Sequence, residues 1–154
     1  MPTFQLTIEI QADPLTIFSL TQDYDRRLTW DPFLKEARLM DGATEAAVGV
    51  RAWCVAKSGL GMETEYVSLT MPEVAAVKMT QGPRILESFA GTWRFREVTP
   101  GVTRVIFRYH LVARPRWLRP LLDPILMAVF SWDTAKRLKA LKRAIERTPS
   151  VQPI

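Results

Sequence analysis

Between Val48 and Ala113 the chain switches side-chain polarity almost residue by residue, and this alternation restricts the fold more than any other feature. VGVRAWCVAK, METEYVSLTM, VAAVKMTQ, ESFAGTWRFREV and TRVIFRYHLVA each alternate or carry β-branched and aromatic residues, the pattern of strands with one buried face. SGLG (58–61), MPE (71–73), QGP (81–83) and TPG (99–101) separate them, and connections this short join antiparallel neighbours. LKEARLMDG precedes the run and closes on the turn dipeptide Asp41-Gly42. At the N-terminus FQLTIEIQA alternates strictly, with Phe4, Leu6, Ile8 and Ile10 on one face. The pattern predicts an antiparallel sheet of about seven strands.

Helical signals bracket the sheet. Asp13 is suited to accept a backbone N–H as an N-cap, and Pro14 fits the first helical position, so a helix is expected from about Pro14 to Gln22. A second short helix is expected over Asp25 to Thr29, closed ahead of Asp31-Pro32. Asp123-Pro124 repeats the cap-plus-proline signal, and Ile125, Val129, Trp132, Ala135, Leu138, Leu141 and Ile145 follow three or four apart. Lys136, Arg137, Lys139, Lys142 and Arg143 take the other faces. Such a helix is roughly 30–35 Å long, enough to cross a sheet. The fold class is α+β. One helix cannot fill the concave side of a strongly twisted sheet, so a gap between them is the natural consequence.

Residues 1–148 read as one domain, and PSVQPI (149–154) as a frayed tail. A single cysteine, Cys54, excludes an internal disulfide and fits a reducing cytoplasm. MPTFQLTIEIQAD carries no signal-peptide pattern, and the longest apolar stretch, LLDPILMAVFSW, is too short to span a bilayer. The net charge of +5 is uneven: residues 103–147 hold eleven Lys/Arg against three Asp/Glu, a local +8. The plain reading is a solvated helix face plus an outer strand face, with no nucleic-acid partner. PRWLRPLL with the basic helix face would suit a weak membrane-surface contact. Monomer and homodimer both fit.

I-x-A-D-P-x-x-I-F-x-L-x-x-D-Y-x-R-R-x-x-W-D-P-F, a later G-x-W-x-F strand and the terminal R-L-K-A-L-K-R-A-I-E helix appear in that order. In this the chain resembles the START-related, polyketide cyclase/dehydrase-like superfamily with the helix-grip fold, over nearly its whole length. The resemblance implies a deep, mostly apolar cavity between sheet and long helix, entered near the short helices and the loops between strands. It does not fix activity, because that superfamily includes lipid-transfer and coenzyme Q-binding proteins, hormone receptors and aromatic-ring cyclases. It also puts Trp30 and Phe33, of DYDRRLTWDPFL, near the long helix. Trp30 either plugs the end of the core or rims the opening, and Phe33 is the better candidate gate.

Strand phase selects the inward residues. Arg94 and Arg96 mark the outer face of one strand, so Phe89, Gly91, Trp93 and Phe95 point inward. Arg104 and Arg108 do the same for the next, which turns Val105, Phe107, Tyr109 and Leu111 inward. From the other strands the candidates are Val50, Ala52 and Cys54, then Val67, Leu69 and Met71, then Val77 and Met79; Leu126 and Val129 face them from the helix. Small and flexible residues of this kind suit an adaptable pocket or a plain core.

Few polar groups share that phase. Tyr109 is placed to donate to a ligand carbonyl and Glu87 to move a proton if buried; Arg51, off that phase, is a candidate to polarise a carbonyl only if the chain is an enzyme. The plainer readings are a core ring for Tyr109 and an exposed strand end for Glu87. His110, the lone histidine, falls on the outward phase, and no ligand-spaced cluster accompanies it, so neither a metal nor a cofactor is expected. No nucleophile or nucleotide motif occurs. The expectation is a binder of a hydrophobic or aromatic small molecule (lipid, polyketide or quinone-like). A polyketide cyclase/dehydratase-type enzyme and a membrane-associated lipid or quinone carrier are the alternatives.

Overall fold

A computed structural model describes residues 3–147; the tail expected at 149–154 lies outside them. The order is β1 (Thr3–Ile10), α1 (Pro14–Thr21), α2 (Arg27–Trp30), β2 (Leu34–Leu39), β3 (Arg51–Ala56), β4 (Gly61–Thr70), β5 (Val74–Gln81), β6 (Leu86–Thr99) and β7 (Val102–Ala113). A 3₁₀ turn at Arg116–Leu118 leads into α3 (Arg119–Arg147). All seven strands form one sheet, ordered β1-β7-β6-β5-β4-β3-β2, with every pairing antiparallel. β1 joins the far edge because the two short helices carry the chain across the sheet before β2 begins. This is the helix-grip architecture: a curved sheet holding one long helix.

Local chemistry sets the boundaries. Asp13 caps α1 by accepting the Thr16 N–H at 2.8 Å, with Pro14 at its start. The second Asp-Pro pair behaves differently. α3 begins at Arg119, a turn earlier than expected, and Pro124 lies inside it. Asp123 does not cap the helix; its carboxylate accepts the Ala113 N–H at 3.1 Å and so ties the end of β7 to α3.

The helix also turns a different face inward. Leu138, Leu141 and Ile145 are buried as expected, but Ile125, Val129 and Trp132 are exposed. Leu126 and Phe130 take the inner side instead, eight and four residues ahead of the buried Thr134. α3 packs chiefly on β1 and β7. Its C-terminal half closes a core with Ile10, Ile17, Phe18, Phe95 and Val105. Its N-terminal half leaves the β3–β4 side of the concave face open.

Candidate functional site

That open half is a cavity of about 620 Å³, within the range of small-molecule sites. The inner wall is aromatic. Trp93 and Phe107 meet edge to face at 4.4 Å, Phe107 and Tyr109 at 4.6 Å, and Phe89 lies 5.5 Å from Tyr109 and 5.7 Å from Phe130 of α3. Gly91 makes room for this arrangement: a Cβ there would sit 3.3 Å from the tip of the Phe107 ring. Cys54 and Ala56 of β3 and Val77 of β5 form the facing wall. Exposed lining residues, among them Leu60, Ile85 and Val129, mark the mouth.

β4 supplies residues that its alternation does not suggest. The register slips between Tyr66 and Ser68, leaving Val67 as an extra residue in a bulge, and slips again between Glu63 and Thr64. Met62, Thr64 and Tyr66 therefore face the cavity, while Val67 and Met71 are exposed and Leu69 packs against the core. A further bulge, between Leu86 and Ser88, turns Leu86 inward and Glu87 outward. Glu87 pairs on the surface with Arg119 and is no cavity carboxylate. Arg51 is likewise outside, bonded to Asp41 at 2.7 Å and reaching Glu63 at 3.4 Å.

The other sequence candidates divide similarly. Phe33, Cys54, Phe89, Trp93, Phe107 and Tyr109 meet around the cavity, joined by Leu126 and Val129 from α3. Trp30 and Phe95 are core residues, Phe95 against Phe18 at 5.6 Å. Ala52 is fully buried outside the cavity wall, and Met79 leans on Gly82. His110 is on the outer side, its Nδ1 3.2 Å from the Thr3 hydroxyl.

At the buried end lies a polar group that strand phase could not reveal. Arg27 and Arg137, one from each of two helices, share the Asp31 carboxylate. Arg27 Nε donates to it at 2.9 Å, and Arg137 donates through Nε at 3.1 Å and Nη2 at 2.9 Å. Asp31 also accepts the Phe33 N–H at 3.0 Å, and Arg27 Nη1 donates to the Thr21 carbonyl at 3.0 Å. The side chains are 7% (Arg27), 0% (Asp31) and 13% (Arg137) exposed. Burial pushes the Asp31 carboxyl up, but Arg137 and Arg27 outweigh it and hold it at about 2. Aromatic faces support both cations: Arg27 lies 5.2 Å from the Trp30 ring centroid and 5.7 Å from Tyr24, and Arg137 lies 5.1 Å from Phe33. The rings of WDPF thus have separate tasks. Trp30, 5% exposed, packs the core under Arg27, and Phe33 lines the cavity beside Arg137.

Three hydroxyls border this end. Tyr66 donates to the Gln22 side-chain oxygen at 2.6 Å, so its single proton is committed and the 3.4 Å contact with Tyr24 has Tyr24 donating. Tyr109 reaches the Phe130 carbonyl only at 3.4 Å. Burial raises the pKa of all three phenols and of the Cys54 thiol. At neutral pH these groups stay protonated: the phenols are hydrogen-bond donors and not bases, and the thiol is a poor nucleophile.

The family model for polyketide cyclase / dehydrase and lipid transport proteins matches residues 1–146. The chain belongs to that family. Solved structures agree on the START-like fold. The Zhui aromatase/cyclase from Streptomyces sp. matches with a TM-score of 0.80 at 15% identity, covering 99% of each chain. A START superfamily protein from Mycobacterium smegmatis matches at 0.78 and 14% identity, over 94% of this chain and 97% of its own. A Thermus thermophilus protein matches at 0.78 and 17% identity, over 97% of this chain and 100% of its own. No curated protein matches the sequence. Among the described residues, no helix is long and apolar enough to cross a membrane.

Proposed function

We propose that residues 1–148 form one ligand-binding domain that holds a hydrophobic or aromatic small molecule, lipid, polyketide or quinone-like, in this cavity, in the cytoplasm. The cavity itself carries the reading: about 620 Å³ of space, walled by Phe89, Trp93 and Phe107 and open at one end. Stability alone would favour filling such a volume with side chains. Trp93, Phe107 and Tyr109 would stack on the ligand, with Leu126 and Val129 closing over it and Phe33 beside the entrance. Val77→Trp projects an indole into the space from a half-buried strand position. Titration with a panel of apolar fluorescent probes should show binding to the native chain and its loss in this variant, at unchanged thermal stability. Equal binding in both would refute the cavity as the site. The cyclase reading uses the same cavity, with Tyr109 as the donor to a reacting carbonyl.

A membrane-associated carrier has its own supporting observation. Leu121, Ile125, Val129 and Trp132 form an exposed stripe along α3 that runs to the cavity mouth, and Trp117 stands 77% exposed beside it. Lys136 covers the Trp132 ring at 5.1 Å, and the Arg116 side chain is largely exposed. Tryptophans and cations flanking an apolar stripe match an anionic lipid surface. Co-sedimentation with phosphatidylserine vesicles, reduced in Trp117→Ala/Trp132→Ala, is the expected result. Equal sedimentation of both proteins, or of neither, would remove this reading.

A further inference from the structure

The binding reading leaves open what kind of apolar molecule the cavity takes, and its charge balance narrows the choice. Two guanidiniums share one carboxylate at the buried end, so the Arg27–Asp31–Arg137 group keeps one positive charge uncompensated. Both arginines line the cavity, and Asp31 sits behind them, outside its wall. Lys57 and Lys136 add positive charge to the lining, against a single lining carboxylate, Asp133. A guanidinium has five N–H donors. The bonds to Asp31 and Thr21 take Nε and Nη1 of Arg27 and Nε and Nη2 of Arg137, leaving donor hydrogens on both. Holding an excess cation out of water is unfavourable unless an anion or strong acceptor completes it. Plain apolar packing has no need of it.

We propose, resting on the binding reading above, that the ligand is an amphiphile with an oxyanion at one end, a carboxylate or an acidic enol or phenol, seated against Arg27 and Arg137. Tyr24 stands next to the same place and adds a neutral donor. Its proton has the long 3.4 Å contact to Tyr66, which an oxyanion at normal hydrogen-bond distance would replace. The apolar body would then run along Phe89, Trp93 and Phe107 toward Ile85 and Leu60 at the mouth. Asp31 is a positioning residue in this scheme: it aligns both guanidiniums without touching the ligand.

The test compares matched pairs that differ in one charge. Dodecanoate against methyl dodecanoate gives the aliphatic arm, and 2-naphthoate against methyl 2-naphthoate the aromatic arm, read by quenching of tryptophan fluorescence. The acid of at least one pair should bind about tenfold tighter than its ester or more, a difference of roughly 1.4 kcal/mol. The pair that shows it names the ligand's body. Because the charge is buried, the preference should change little between about 0.05 and 0.5 M salt, where attraction to surface lysines would fade. Arg137→Gln should bring acid and ester to within about threefold, and Lys139→Gln, on the exposed helix face, should leave the preference intact. Salt dependence in the native chain decides the matter even if Arg137→Gln folds poorly. Equal affinity of acid and ester overturns the oxyanion while leaving the binding reading standing. Binding of no member of either pair overturns both. An acid preference abolished by salt, or retained in folded Arg137→Gln, overturns the assignment to this arginine pair.

Discussion

Replacing Asp31 with asparagine isolates the ion group that closes the buried end of the cavity. The carboxyl is held at about 2, against an ordinary 3.8, although burial alone would raise it. A group whose native pKa is depressed contributes stability above its unfolded pKa and loses it as pH falls through the native value. The gap between about 2 and 3.8 is worth about 2.5 kcal/mol, present near pH 7 and lost between about pH 5 and pH 1. In Asp31→Asn the side chain is neutral at every pH. Its amide would also turn an N–H₂ toward Arg27 or Arg137, leaving two buried guanidiniums with no anion between them. The 2.5 kcal/mol is therefore a floor, and about 3–5 kcal/mol is expected, the cost of breaking a buried pair by removing one partner. Urea unfolding of both proteins at neutral pH measures this directly. Repeating it at about pH 3 should shrink the difference, because the unfolded chain, its carboxyl back at an ordinary 3.8, is by then mostly protonated and folding no longer carries the full advantage of the charge. A loss under about 1 kcal/mol at neutral pH, the level of exposed pairs, would show that the group is solvated and the reasoning wrong.

Tyr109→Phe separates carriage from chemistry: a carrier should lose roughly 0.5–1.5 kcal/mol of affinity, one neutral hydrogen bond. A cyclase that polarises a carbonyl through Tyr109 should instead lose about 10²-fold in turnover at unchanged affinity. Gly91→Ala should destabilise by about 1–3 kcal/mol, seen as a lower urea midpoint, since its Cβ would press on a Phe107 ring already held by Trp93 and Tyr109. An unchanged midpoint would mean that the ring moves aside. Tyr66→Phe should cost about 1–3 kcal/mol by stranding the Gln22 oxygen, now 2.6 Å from the hydroxyl in a buried position. A neutral result in the same urea assay would mean that water replaces the hydroxyl.

How much of this is legible in the sequence depends on which residues mark the phase. On β6 and β7 the outward arginines, Arg94, Arg96, Arg104 and Arg108, fix it, and Trp93, Phe107 and Tyr109 fall inside as the alternation requires. METEYVSLTM has no such markers. Both of its faces mix polar and apolar residues, and a bulge at Val67 reverses the phase midway. A strict period of two therefore selects Val67 and overlooks Tyr66, which is almost completely buried. The bulge at Glu87 misplaces that carboxylate for the same reason. In α3 the Asp-Pro signal points to a start at Pro124, but the Asp123 carboxylate is engaged by the Ala113 N–H, a tertiary bond invisible to local pattern.

The polar end is hidden for a different reason. Arg27 lies in a charged segment, DYDRR, and Arg137 in the basic run AKRLKALKR, and in both places neighbouring charges are solvated: Arg26 and Lys139 are exposed. What draws Arg27 and Arg137 inward is a single carboxylate between them, fixed by the turn in which it also accepts the Phe33 N–H. Asp31 closes α2 in the extended backbone that a following proline favours, its N–H bonded to the Arg27 carbonyl, so the W-D-P-F sequence aims one anion at a point where α2 and α3 meet. An arginine four residues earlier on α2 reaches that anion by helical spacing. The second arginine arrives only through the packing of α3 over the sheet. Half of the group is thus local and readable as an i,i+4 pair, while the excess charge that gives the cavity its polarity is purely tertiary. A chain with Asp31 and Arg27 but a leucine at position 137 would keep the fold's pattern and present a neutral cavity end. Position 137, a single residue in an otherwise ordinary basic helix, therefore sets the net charge at the buried end of the cavity.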